Sequence, residues 1–398
     1  MVVDGDGHIV EPNTLWTDYV SRAFRDRIYL ERNAKGEAQR VVVGNAAFQV
    51  AAASEGFSSP GNSVTPGGYR DPKAPRKSWD EGDPGGFFAA DRLRMHDAEG
   101  IDAAVLFPTI LLCLANDITD QDVAAAAVRA VNDWAADFCK AAPGELYGVA
   151  ALPRQFPDFA AEELRRCVRD HGFVAAAIRP TPLADGRVIN DPSMDVVWSE
   201  AEALDVPVTV HNVAFPNPRQ AGEARFTTFL TRHSAAHPIE AMYALGGLLE
   251  ARVFERFRQL RFGFMESGCG WAPFWTERLQ EHAEMTGWSW NPPLTLDVME
   301  LFATRCVVGT EAEERMVGYV QQVLGDETVV WSSDFPHFDT HSPFVLPRPD
   351  LSESQRDGLY RRAALKFYRL DEDRIARANA ARRGANRGAQ ARADGVAP

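Results

Sequence analysis

Cysteine is scarce and unpatterned. Five residues (Cys113, Cys139, Cys167, Cys269 and Cys306) are scattered along the chain. None forms a CxxC pair, which excludes a disulfide framework and a zinc ribbon. They read as reduced thiols that pack like small apolar side chains. Net positive charge is also lacking. Fifty-six acidic residues against 42 basic ones leave a formal net charge of −14. A surface of that sign cannot displace the counterions of a nucleic-acid backbone, so sequence-independent nucleic-acid binding is excluded. Long hydrophobic runs are missing too. No window reaches the roughly 18 uninterrupted apolar residues of a membrane span. The opening MVVDGDGHIV has no basic segment and no apolar core, so no secretory signal is expected and the setting reads as cytoplasmic.

What is present is an ordinary globular balance over 398 residues, 45% hydrophobic and 25% charged. That is enough chain for a large core. Short apolar runs alternate with longer amphipathic stretches. The runs are 2–6, 102–107, 146–151, 174–178, 207–211, 260–266, 306–309 and 329–333, each apolar enough to be buried on both faces. Between them, 121–140, 158–170, 191–204, 239–257, 274–285 and 313–324 carry apolar residues at helical spacing. Asp120 and Asp191 suit helix N-caps, and Pro192 suits a first helical turn. Strand–helix alternation with eight strands predicts a (β/α)8 TIM barrel, distorted by a small β-hairpin insertion after the first strand. The barrel is expected over 1–370, with the insertion at 25–86. Its hairpin pairs 28–32 with 39–50, and a Gly/Pro/Ser-rich stretch follows at the barrel mouth. Residues 371–398, rich in Arg, Ala and Gly, read as a frayed helix and a disordered tail.

In such a barrel the chemistry gathers at the C-terminal ends of the strands. Asp6 and His8 close the first strand, two residues apart and so on one face. Arg179 closes the fourth strand, His211 the fifth, Glu266 the sixth, and Asp334 follows the eighth. Imidazoles and carboxylates at matching ends predict a shared metal site of Asp6, His8, His211 and Asp334. The nitrogen and oxygen donors suit one divalent ion, zinc first, with manganese or iron also fitting. A carboxylate directly after an apolar strand is costly to bury without a partner, which strengthens Asp334. His237 is read as reaching the pocket, Arg179 as a two-point clamp for a substrate carboxylate, Trp271 as pocket lining, and His337 as a neighbour of Asp334 and the substrate. His96, His171, His282 and His341 read as surface or loop residues.

These residues resemble the second amidohydrolase family, the branch that includes aminocarboxymuconate semialdehyde decarboxylase and related aromatic-acid decarboxylases. The matching stretches are DGDGHIVEP (4–12), VLFPT (105–109), PVTVHN (207–212), AHPIEAM (236–242), the run 255–282 and WSSDFPH (331–337). The resemblance implies a distorted barrel, one divalent metal on Asp6, His8, His211 and Asp334, and a homodimer. One departure stands out. Family decarboxylases carry a histidine where this chain has Glu266, in the run Met265-Glu266-Ser267-Gly268. A carboxylate moves protons near neutrality only when its pKa is raised. Carboxylates at two strand ends therefore favour hydrolysis as the first reading. Metal-activated water would attack an amide, ester, lactone or activated C–C bond of a small or peptide-like substrate, with Asp334 or Glu266 taking the proton. Non-oxidative decarboxylation of an aromatic or unsaturated carboxylic acid is the alternative.

Overall fold

The computed structural model describes residues 1–52, 59–213 and 219–393, with side chains to 385. Eleven strands are present: β1 (Val3–Ile9), β2 (Ile28–Arg32), β3 (Ala38–Val43), β4 (Ala46–Gln49), β5 (Ala103–Pro108), β6 (Leu146–Ala151), β7 (Ala175–Ile178), β8 (Val208–His211), β9 (Phe262–Met265), β10 (Cys306–Thr310) and β11 (Val329–Trp331). Eight of them form one sheet in the order β1-β5-β6-β7-β8-β9-β10-β11, and each neighbouring pair is parallel. Every residue of these eight strands is buried. Helices cover the outside, so most of the strands are near-continuous apolar runs, as a doubly covered parallel sheet requires; β1 is the exception, carrying Asp4, Asp6 and His8. The seam between β11 and β1 is closed just past the strand ends. Asp334 N–H donates to the Asp6 carbonyl at 3.0 Å, and His8 N–H donates to the Phe335 carbonyl at 2.8 Å. The chain is a distorted TIM barrel, as expected.

The insertion differs in detail. The run read as one strand over 39–50 is two, β3 and β4, in a three-stranded antiparallel sheet with β2. Gly44 lies between them with φ 60°, where a side chain is strained. Asn45 anchors this turn by donating to the Asp117 carbonyl at 2.8 Å. A Gly-Asn pair between apolar runs is a hairpin signal that the run of valines obscured. Residues 53–58 of the insertion lie outside the described residues.

Helix boundaries moved where proline misled. The helix read from 239 begins ten residues earlier, as Phe229–Glu250, with Pro238 inside it. Helices that were not foreseen also pack on the barrel, among them Ala89–Glu99 and Val298–Arg305. His96, read as a surface residue, is fully buried in the first of them.

The expected tail also differs. A helix runs over Glu372–Ala393, and its first half docks on the barrel. Ile375 is fully buried, Asn379 donates to the Asp102 carbonyl at 2.7 Å, and Arg382 bridges Asp97 and the buried Glu145, both at 2.7 Å. Two of the arginines that made this stretch look solvated, Arg382 and Arg383, are paired with acids at the edge of the barrel. Residues 394–398 lie outside the described residues. Among the described residues no helix is long and apolar enough to cross a membrane.

A chain ending at Leu370 exposes the groove that Ile375 fills and leaves Glu145 buried without its cation. Its unfolding free energy is expected to fall by about 2–5 kcal/mol, read by chemical denaturation. A midpoint equal to that of the full chain would show that the docked helix contributes nothing.

Candidate metal centre and active site

The strand ends converge on one buried cluster. The β1–β5 pairing shifts register between Asp4 and Gly7, a bulge that sits at Asp6. His211 is the last residue of β8, Glu266 follows β9 directly, and Asp334 follows β11. Glu266 and Asp334 have φ of 49° and 47°. Such backbone costs a non-glycine residue on the order of 1–3 kcal/mol and persists where the surroundings over-determine it. At Asp334 those surroundings are the barrel seam itself. Asp4 supports it from below, accepting from Ser333 N–H at 2.9 Å and from its hydroxyl at 2.5 Å. Arg92, fully buried, stacks on the Phe335 ring at 4.5 Å and donates to the His8 carbonyl.

His8 Nε2 stands at the centre. It lies 3.6 Å from Asp6 Oδ1, 3.3 Å from Asp334 Oδ1 and 3.2 Å from His211 Nε2. His211 Nε2 is 3.6 Å from Asp6 Oδ1 and 3.7 Å from Glu266 Oε2. His211 Nδ1 donates to the Asn212 carbonyl at 2.6 Å, which leaves the Nε2 lone pair facing the cluster. Both Asp6 oxygens and Asp334 Oδ2 are buried without a hydrogen-bond partner. Acceptors thus face acceptors with no donor between them, an arrangement that buried polar groups do not tolerate alone. A divalent cation fits this donor set, and imidazole plus carboxylate suits manganese, zinc or iron.

The structure brings together all four residues read as ligands, with Glu266, His237 and His337. His237 Nε2 is 3.6 Å from Glu266 Oε1. His337 Nδ1 contacts Asp334 Oδ1 at 2.8 Å, and its ring lies 4.2 Å from that of His8. Burial first, and then the neighbouring Asp334 charge, push the Glu266 carboxyl well above the usual range. Burial followed by Asp339 does the same for Asp334. Burial holds His237 well below the usual imidazole range, with the nearby His233 adding to it.

Arg179 and Trp271 are placed elsewhere. The Arg179 guanidinium donates to the Cys113 carbonyl at 2.5 Å and pairs with Asp117 at 3.1 Å. It is spent on the barrel wall and is no open clamp. The Trp271 indole N–H donates to Ser267 at 3.2 Å, and its ring packs edge-on against Phe264 and Phe302. It belongs to the core behind β9, because it opens a helix whose buried face turns inward there. Three acidic or imidazole residues at the site were not foreseen: Glu311, Asp339 and His233. Glu311 follows β10 as Asp334 follows β11, so the same strand-end rule applied to Val307-Val308-Gly309-Thr310 would have found it. Burial, and Asp339 after it, push Glu311 up to about 8. Oxygens of Glu311, Asp334 and Asp339 lie within 4.8 Å of one another. At an effective dielectric near 20, like charges so close repel by about 3–4 kcal/mol per pair.

Beside the cluster opens a cavity of about 350 Å³. His8, His211, Glu266 and His337 form its reactive end. Phe48, Val64, Tyr69 and Trp79 of the insertion line it, together with Leu112, Phe229 and Phe338. The insertion therefore lies at the barrel mouth and supplies much of an aromatic wall. Among the described lining residues there is no lysine or arginine.

The amidohydrolase family model matches residues 3–370. The chain belongs to the amidohydrolase family. Among curated relatives, it is 27% identical over 288 residues to the γ-resorcylate decarboxylase of Rhizobium sp. (strain MTP-10005), covering 70% of this chain and 86% of the relative. Among solved structures, the amidohydrolase from Mycobacterium avium subsp. paratuberculosis K-10 superposes with a TM-score of 0.71 at 19% identity, covering 94% of this chain and 98% of that one. The 5-carboxyvanillate decarboxylase of Novosphingobium aromaticivorans DSM 12444, complexed with manganese and 4-hydroxy-3-methoxy-5-nitrobenzoic acid, gives a TM-score of 0.64 at 18% identity, over 93% and 96% of the two chains. These comparisons support an enzyme. They overturn hydrolysis as the first reading, because the curated relatives include several γ-resorcylate decarboxylases and a 2-amino-3-carboxymuconate-6-semialdehyde decarboxylase, beside one hydratase, and no hydrolase is among those compared. The error had a physical source: carboxylates at two strand ends serve either chemistry, and their residue types alone do not separate the two.

His337 touches Asp334 and no other described carboxylate of the cluster at hydrogen-bond distance. In this amidohydrolase, His337→Ala is expected to weaken divalent-metal binding by about 10–100-fold, measured by competition with a fluorescent chelator. Unchanged affinity would remove His337 from any role in orienting Asp334.

Proposed function

We propose that this chain is a metal-dependent, non-oxidative decarboxylase of small aromatic carboxylic acids. The observation that carries the reading is a cavity walled by aromatic rings and ending on a buried cluster of imidazoles and carboxylates. The activities of the curated relatives support it. Asp6, His8, His211 and Asp334 would hold one divalent ion. The manganese in the structural neighbour makes that metal the first to test, with zinc second. When bound, the ion supplies positive charge that holds the substrate carboxylate and an adjacent hydroxyl. Its need is plain, since no described cation lines the cavity. The reading keeps the homodimer that the family resemblance implies and a cytoplasmic setting.

The remaining work falls to the chain's own residues. Phe48, Tyr69, Trp79 and Phe338 sandwich a flat ring and exclude water. Glu266 occupies the position of the family histidine and reaches both the cavity and His237. Held protonated by burial, it donates its proton to the ring carbon that bears the carboxylate. The bond from that carbon to the carboxylate then breaks, its electron pair restores the ring, and carbon dioxide leaves. Glu266 recovers a proton from solvent, with His237 beside it.

Glu266→Gln is expected to lower carbon dioxide release from γ-resorcylate or 5-carboxyvanillate by about 10²–10⁴-fold while metal content is retained. Glu266→His is expected to recover part of the rate. In D2O the product should carry deuterium at the carbon that lost its carboxyl group. Full turnover by Glu266→Gln would sink the proton role. No carbon dioxide from a broad panel of hydroxylated aromatic acids, with metal bound, would sink the decarboxylase reading.

A further inference from the structure

A second chamber, of about 470 Å³, shares Glu266 with the aromatic cavity and has Asp334 in its wall. Its chemistry is different. None of its described lining residues carries a benzene or indole ring, and none is lysine or arginine. On one side Glu311, Asp334 and Asp339 each offer an oxygen, all within 4.8 Å of one another. On the other, His233 and His237 each offer a ring nitrogen and Glu266 an oxygen, again within 4.8 Å of one another. The two groups meet where His233 Nε2 approaches Asp339 Oδ2 at 3.4 Å.

Acidic clusters alone are common, and like charges at this spacing are costly. A separate observation points to a ligand. His237 is 4% exposed and forms part of this wall. Its Nδ1 leans on the His233 carbonyl at 3.4 Å, which leaves the lone pair on Nε2. That Nε2 is buried with no hydrogen-bond partner. Asp334 Oδ2 and Asp339 Oδ1 are orphaned in the same way. Three buried acceptors thus face a chamber whose described wall offers no cation to meet them.

We propose that this chamber binds a second divalent cation, held by Glu311, Asp334 and Asp339 with His237 completing the donor set. Asp334 then bridges two ions, its Oδ1 toward His8 and its Oδ2 toward the chamber. Carboxylates outnumber nitrogen in this set, which favours hard ions, magnesium or manganese, over zinc. The bridging role rests on the metal reading given above. Glu311 and Asp339 have no part in that reading and belong to the second site alone.

The test uses the full chain, stripped of metal and then dialysed against saturating Mn²⁺. Metal is counted by elemental analysis and its environment read by electron paramagnetic resonance. The wild type is expected to hold two equivalents, with the exchange-coupled signal of ions roughly 3.5–4 Å apart. Glu311→Gln and Asp339→Asn are each expected to weaken one site at least tenfold, giving one equivalent with an isolated-ion signal. Glu313→Gln, in the same wall, is expected to keep both. Circular dichroism checks that each variant folds. One equivalent in the wild type at saturation overturns the proposal, as do two equivalents that persist in the Glu311 and Asp339 variants. Loss of all metal from a folded Glu311→Gln overturns a separable second site. Asp6→Ala separates the two readings. If it keeps the wild-type count while Glu311→Gln loses one ion, the first site fails and the second stands.

Discussion

The seam between β11 and β1 is the constraint on which the rest depends. A barrel of eight parallel strands must close on itself, and here one of the two closing backbone hydrogen bonds joins Asp334 to Asp6. The carboxylates that face the cluster are carried by the same two residues. Closure and site assembly are therefore one event. Below the seam, Asp4 and Ser333 tie the strands together, and Arg92 ties both to the helix Ala89–Glu99. Burial pushes the Asp4 carboxyl up to about 6 and lowers Arg92 to about 10, so each needs the other's charge nearby. Gly5 completes the seam: a Cβ there would meet Val330 Cγ1 at 2.0 Å.

Much of this was legible in the sequence because the barrel imposes a rule of position. Residues at the C-terminal ends of strands face one mouth, and Asp6, His8, His211, Glu266 and Asp334 were found by that rule. Arg179 obeys it too, yet its long side chain bends to Asp117. Position fixes where a Cα stands, and partners fix where a guanidinium goes. Trp271 lies past its strand end and follows helix packing instead. Glu311 was overlooked because the strand was ended at Gly309, one residue short of the observed Thr310. The insertion's Gly44–Asn45 turn and the helix through Pro238 were missed for a related reason. In each a local signal competed with another: the valines on either side masked the Gly-Asn pair, and Pro238 read as a helix start although the helix runs through it.

Pro238 shows how a local cost can be repaid at the site. A proline inside a helix removes a backbone hydrogen bond, yet the helix Phe229–Glu250 continues through it. The residue before it is His237, and the turn before that brings His233. Together they set two imidazoles, 4.5 Å apart between ring centres, against Glu266 and Asp339. The motif AHPIEAM thus presents the His237 imidazole from a helix at the site, and His233 stands one turn before it. This is consistent with its place among the stretches that carry the family resemblance.

The distribution of charge around the cluster argues for the direction of the chemistry. On one side stands an aromatic cavity without a described cation; on the other, a chamber crowded with carboxylates. A substrate carboxylate entering the first is drawn only by whatever positive charge the strand-end cluster holds, and its loss as neutral carbon dioxide removes a charge from an apolar wall. Glu266 sits on the boundary between the two spaces. On the proposed reading its proton is delivered to the apolar side, and burial, with the Asp334 charge after it, favours the protonated carboxyl. The family resemblance implies an imidazole at the equivalent position, which is basic near neutrality without help. A carboxylate at this position works only if its surroundings raise its affinity for a proton, and burial beside Asp334 does that. On the proposed reading, burial is the main reason that a glutamate can stand where the family resemblance implies a histidine.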